Sequence, residues 1–128
     1  MIVLLVIDMQ VGLFEEDAPR HNAEGVVRRI NALGRVVRQA GGLVIFIQHA
    51  GPRGDTLEPG TDGWRLLASL EQEVGDLVVS KEACDAFYKT DLSRILQDHD
   101  TRELIVTGCA TDFCVDTTVR AAASRDTR

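Results

Sequence analysis

Three reactive side chains stand just beyond runs of strand-forming residues. Asp8 follows "IVLLVI", Lys81 closes "DLVVSK", and Cys114 lies in "GCATDFCVDTT" (108–118), directly after "ELIVTG". A carboxylate, an ammonium and a thiol form a set with a definite use. A free thiol ionises near ~8.5, and the thiolate is the attacking species. Thr111 is suited to cap the helix that follows, which puts Cys114 in its first turn, where the helix dipole favours a thiolate. Lys81 would add a full positive charge. Asp8 would take the thiol proton and later hand it to a leaving amine. Backbone N–H groups around 110–114, facing outward at a helix start, would hold an oxyanion. The set suits attack on a carbonyl carbon, a covalent thiol adduct and hydrolysis.

Each residue alone has a plainer reading. Asp8 could cap a loop, Lys81 could be a solvated lysine, and Cys114 could be a small buried hydrophobe. The case for chemistry rests on whether the fold brings them to one rim.

The periodicity argues that it does. Residues 2–7 form a continuous apolar run, as expected of a strand buried on both faces. Residues 22–40 place Val26, Val27, Ile30, Leu33, Val36 and Val37 at helical spacing; Asn22 is the expected cap and "GG" at 41–42 the stop. "LVIFIQ" (43–48) is a second buried strand, followed by the Gly/Pro-rich loop 49–63. Residues 64–73 read as a short helix, 76–81 as a third strand, 90–99 as a helix, 103–108 as a fourth strand and 112–125 as a helix. Such alternation predicts an α/β fold with a parallel sheet and right-handed crossovers. In open parallel sheets chemistry gathers beyond the carboxyl ends of the strands. Asp8 and Gln10, Gln48 and His49, Lys81, and the turn leading to Cys114 all fall there.

Composition narrows the function. The chain has 128 residues, a length for one domain, with 45% hydrophobic and 27% charged residues. Its net charge of −6 argues against nucleic acid and against anionic membrane surfaces. No apolar run has the length of a membrane span. "MIVLLVIDMQ" lacks a basic leader and a cleavage site, so the expected compartment is the cytoplasm, where thiols stay reduced. The cysteines Cys84, Cys109 and Cys114 make no metal-type spacing with the histidines His21, His49 and His99. Cys84 and Cys109 read as packing residues.

At this point the chain resembles a known family, the isochorismatase-like cysteine hydrolases, which include nicotinamidases and N-carbamoylsarcosine amidases. The matching segments are "LLVIDMQ" (4–10), "VVSKEACDAFYKTDL" (78–92) and "LIVTGCATDFCVDTT" (104–118), in the family's order and spacing. The resemblance implies a Rossmann-like three-layer fold of strand order 3-2-1-4 and a catalytic triad of Asp8, Lys81 and Cys114. It implies a cis peptide between Cys109 and Ala110, with the N–H groups of Ala110 and Cys114 as the oxyanion hole. It also implies a small-molecule substrate and a homo-oligomer.

Departures from the family's pattern are informative. Nicotinamidases of the family bind a metal through an Asp and two His after the second strand. Here "FIQHAGPRGD" offers His49 without that pattern, so neither metal nor cofactor is expected. Asp85 stands where the family often has Ser. The family also runs on, past the cysteine helix, through two more strands and a helix. Residues 1–128 are therefore expected to be a single, C-terminally shortened domain, with strand four at an edge that is bare or covered by a partner chain.

For the substrate pocket, Gln10, Phe14, His49 and Trp64 are candidates. Three of them have a structural alternative: Gln10 and His49 as loop hydrogen-bonders, Trp64 as a core aromatic. Phe87 reads as core. The expected function is hydrolysis of a small amide, ureide or related C–N bond. The alternatives are isochorismate-type vinyl ether hydrolysis and an inactive relative serving as a binding or oligomerisation module. A phospho-receiver is disfavoured by the single acid in "VIDMQVG" and by Lys81 where the acceptor Asp belongs. A dinucleotide site is disfavoured by the lack of G-x-G-x-x-G after any strand.

Overall fold

The computed structural model describes residues 1–14 and 23–108. Four strands and two α-helices alternate: β1 (Ile2–Ile7), α1 (Ala23–Gln39), β2 (Leu43–His49), β3 (Leu77–Lys81), α2 (Leu92–Asp98) and β4 (Glu103–Gly108), with a short 3-10 turn at Val11–Leu13 after β1. All strand pairs are parallel, as the alternation predicts, and the order is β3-β2-β1-β4, as the family resemblance implies. The expected helix over 112–125 lies outside the described residues.

The continuous apolar runs explain the layers. β1 and β2 are buried on both faces, and successive residues serve opposite cores. Leu4, Val6, Val44 and Phe46 pack under Val27, Ile30 and Val37 of α1. Val3, Leu5, Ile7, Ile45, Ile47 and Val79 pack against Leu92 and Leu96 of α2, with Phe87 in the same cluster. The result is three layers, helix on sheet on helix.

α1 ends where the glycine pair stands. Gly41 takes a left-handed φ of 78°, its N–H donates to Arg38 O, and the N–H of Gly42 reaches back to Val37 O at 2.8 Å. That pair of bonds closes the helix and turns the chain directly into β2.

Residues 64–73 are not a helix; they form turns and one isolated bridge. Their backbone groups are claimed elsewhere. Val11 N–H donates to Arg65 O, Gly12 N–H to Gly63 O, and Leu67 N–H to Met9 O. The segment thus lies antiparallel against the chain leaving β1, and tertiary pairing overrides local helical spacing. Asn31 of α1 fixes it further, bonding Ser69 O and the N–H of Glu71. Arg38 then grips Asp76 through two guanidinium nitrogens, at 3.0 and 2.6 Å, just before β3.

Among the described strands, β3 and β4 are outermost, and Leu104–Gly108 of β4 are all partly exposed. Among the described residues, no helix is long and apolar enough to cross a membrane.

Candidate active site

β1 and β4 end level with each other, β2 and β3 end together two residues further on, and that shared rim fixes the site. Ile7 pairs with Ile47 and with Gly108, and His49 pairs with Lys81. Asp8 follows directly from β1. Strict alternation would send its side chain to the face of Leu4 and Val6. Its φ of 55° breaks that alternation. Met9 takes the place on the α1 side, packed with Leu4 and Val6, and Asp8 meets Lys81 instead. A left-handed conformation is uncommon for a non-glycine residue, and aspartate is among the side chains that tolerate it best.

Asp8 and Lys81 form a buried ion pair. Lys81 Nζ lies 3.2 Å from Asp8 Oδ2, and Lys81 and Asp8 are 1% and 3% exposed. The ammonium also donates to Ala83 O at 2.8 Å and lies 3.4 Å from His49 Nδ1. The other carboxylate oxygen, Asp8 Oδ1, is buried with no hydrogen-bond partner among the described residues. A buried acceptor left open in this way is costly, about 1–3 kcal/mol, unless something comes to it.

The pocket candidates sort themselves by geometry. Gln10 is fully buried, and its amide braces two loops: Nε2 donates to His49 O and Trp64 O, and Oε1 accepts from His49 N–H. Gln48 adds a second bond to Trp64 O. Trp64 is partly buried, and its indole Nε1 has no partner among the described residues. Phe14 is partly buried and packs against the α1-side core. His49 lies against a charged residue of the site, with Nδ1 3.4 Å from Lys81 Nζ. Burial, and after it the Lys81 ammonium, holds its imidazole below the usual histidine value; Asp8, Asp55 and Glu82 pull weakly the other way.

Cys84 is exposed, which corrects the expectation that it packs. It sits in the turn after β3, where Ala86 and Phe87 take the core positions. Asp85 Oδ1 accepts the N–H of Phe87 at 2.8 Å, so this aspartate shapes the turn. A cleft of about 480 Å³ opens here, lined by Ser80, Lys81, Glu82, Ala83, Tyr88 and Lys89. The Ala83 carbonyl is a site group that sequence reasoning missed; a main-chain acceptor leaves no signature in residue type.

Cys109, Ala110 and Cys114, and with them the expected cis peptide and oxyanion hole, lie outside the described residues. Their point of departure is described. Gly108 ends β4 at φ 123°, and a Cβ at this position would collide with the Ile7 backbone, its carbonyl oxygen first. Only glycine lets β4 come this close, so β4 ends against Ile7, the residue before Asp8. Among the described residues, no cluster of His, Cys, Asp and Glu could hold a metal ion.

The sequence pattern of the isochorismatase domain matches residues 3–128. The chain belongs to the isochorismatase family. It is 34% identical to a streptothricin hydrolase of Streptomyces noursei over 125 residues, which is 98% of this chain and 50% of that one. It is 28% identical to a ureidoacrylate amidohydrolase of Variovorax paradoxus, covering 93% of this chain and 62% of that enzyme. A crystal structure described as an isochorismatase family protein superposes with a TM-score of 0.90 at 32% identity, covering 97% of this chain and 73% of the other. The chain spans about half the length of the streptothricin hydrolases it matches.

Proposed function

We propose that this isochorismatase-family protein hydrolyses a small amide, ureide or related C–N bond with Cys114 as nucleophile. The observation that carries the reading is the buried Asp8–Lys81 pair at the rim where β1 and β4 end, with Asp8 Oδ1 unpartnered among the described residues. Asp8 takes the proton from the Cys114 thiol, and the Lys81 ammonium stabilises the thiolate. The thiolate adds to the substrate carbonyl carbon, and the N–H groups of Ala110 and Cys114 hold the oxyanion. Asp8 then returns its proton to the departing nitrogen, leaving a thioester that water cleaves. The reaction needs no metal or other cofactor. An amidohydrolase among the relatives supports the C–N assignment. We place the protein in the cytoplasm as a homo-oligomer acting on a small molecule.

The test is a panel of primary amides, ureides and vinyl ethers, with wild type beside Cys114→Ala and Cys114→Ser. The expected result is ammonia or amine release by wild type alone. Pyruvate release from a vinyl ether, undiminished in Cys114→Ala, would replace the amide reading with isochorismate-type hydrolysis. No turnover of any substrate, with unreactive Cys114, would leave a binding module.

A further inference from the structure

His49 and Lys81 are register partners on the parallel strands β2 and β3, so their side chains emerge side by side on the same face of the sheet. The imidazole Nδ1 lies 3.4 Å from the ammonium. An ammonium has donors only. A contact at Nδ1 is therefore favourable only if that nitrogen is unprotonated and the ring proton sits on Nε2. We propose that His49 is a positioning residue: as the neutral Nε2–H tautomer it accepts from Lys81 at Nδ1 and steadies that ammonium against Asp8. The proposal rests on the assignment of Asp8, Lys81 and Cys114 made above.

Two further observations support it. Lys81 is 1% exposed, and its ammonium meets Asp8 Oδ2, Ala83 O and His49 Nδ1. Of these, Nδ1 belongs to an imidazole, and protonation of the ring removes it as an acceptor. His49 is also held from behind, since Gln10 binds both its N–H and its carbonyl. A backbone clamped on both sides fixes where the ring stands. The charges around the ring come from several elements: Lys81 of β3, Asp8 after β1, Asp55 in the loop after β2, and Glu82 after β3. Burial and Lys81 prevail and favour the neutral ring. Protonation on acidification removes an acceptor from Lys81 and sets a second cation beside it, so the site loosens on the acid side.

The test reads the ring itself by long-range ¹H–¹⁵N NMR of the intact chain. His49→Asn identifies the His49 signals among those of His21 and His99. The expected result at pH 7 is an Nε2–H tautomer that titrates below the ordinary histidine range, and that moves up in Lys81→Met. An Nδ1–H tautomer in wild type, or identical titration in wild type and Lys81→Met, overturns the proposal; the tautomer alone decides if Lys81→Met fails to fold. The functional readout is Cys114 alkylation by iodoacetamide at pH 7. His49→Ala should slow it about tenfold. His49→Asn, whose Oδ1 can stand in for Nδ1 and does not titrate, should recover most of that loss. Equal rates in wild type and His49→Ala would overturn the positioning role. A wild-type Cys114 no more reactive than Cys84, beside the expected tautomer and coupling, would refute the hydrolase reading and leave the His49–Lys81 contact standing.

Discussion

Asp8 and Lys81 are 73 positions apart in the chain and 3.2 Å apart at the end of the sheet, both almost wholly shielded from water. Burying two charges is expensive, and their mutual attraction repays that only in good geometry. Removing one partner leaves the other uncompensated. Lys81→Met is therefore expected to destabilise the fold by about 3–5 kcal/mol. Asp8→Asn combined with Lys81→Met should cost clearly less than the sum of the two single changes. Urea denaturation of the four proteins checks this; additive losses would mean the pair is not coupled.

Gly108 carries a second expectation. Its φ of 123° and the closeness of the Ile7 carbonyl leave no room for a side chain. Gly108→Ala should force β4 away from β1 and lower stability by about 2–3 kcal/mol. Because β4 leads to Cys114, it should also lower the reactivity of that thiol. A thermal melt unchanged from wild type would show that the strands can shift at no penalty.

Gln10 gives the third. Its amide satisfies His49 N–H, His49 O and Trp64 O, all in a partly buried setting. Gln10→Leu has a similar bulk and none of these bonds. A loss of about 2–4 kcal/mol is expected, with faster amide hydrogen exchange at His49. Exchange at His49 as slow as in wild type would contradict the bracing role.

The fourth concerns pH. His49 binds its proton less readily folded than unfolded, where it has the usual value of 6.5. As pH falls through 6.5 toward the lower folded value, the unfolded chain takes up the proton first. Stability from this residue is thus full above pH ~6.5 and is lost on acidification. The stability difference between pH 7.5 and 5.5, about one unit to either side of that value, should be larger in wild type than in His49→Asn. Equal differences would contradict a depressed His49.

The sheet and the meeting of Asp8 with Lys81 were legible in the sequence. "IVLLVI" marks β1 to the residue, because a strand buried on both faces of a parallel sheet leaves an unbroken apolar stretch, and the β-branched and apolar run in "ELIVTG" marks β4. Asp8 and Lys81 followed, since strand ends in a parallel sheet share a rim. Residues 64–73 misled because their apolar spacing fits a helix, while their hydrogen bonds are settled by Met9, Val11 and Gly12, far away in the chain. Cys84 misled because cysteine is usually buried, and only the turn set by Asp85 brings Phe87 inward and leaves Cys84 outside. The role of Gln10 depends on two loops meeting, which no local pattern records.

The most direct test of the central claim is alkylation of the intact chain by iodoacetamide at about pH 6, with mass spectrometry to rank Cys84, Cys109 and Cys114. An ordinary thiol, ionising near ~8.5, is almost inert at that pH. The account predicts fast, selective labelling of Cys114, with exposed Cys84 slow. Slow labelling shared evenly among the three thiols would contradict it.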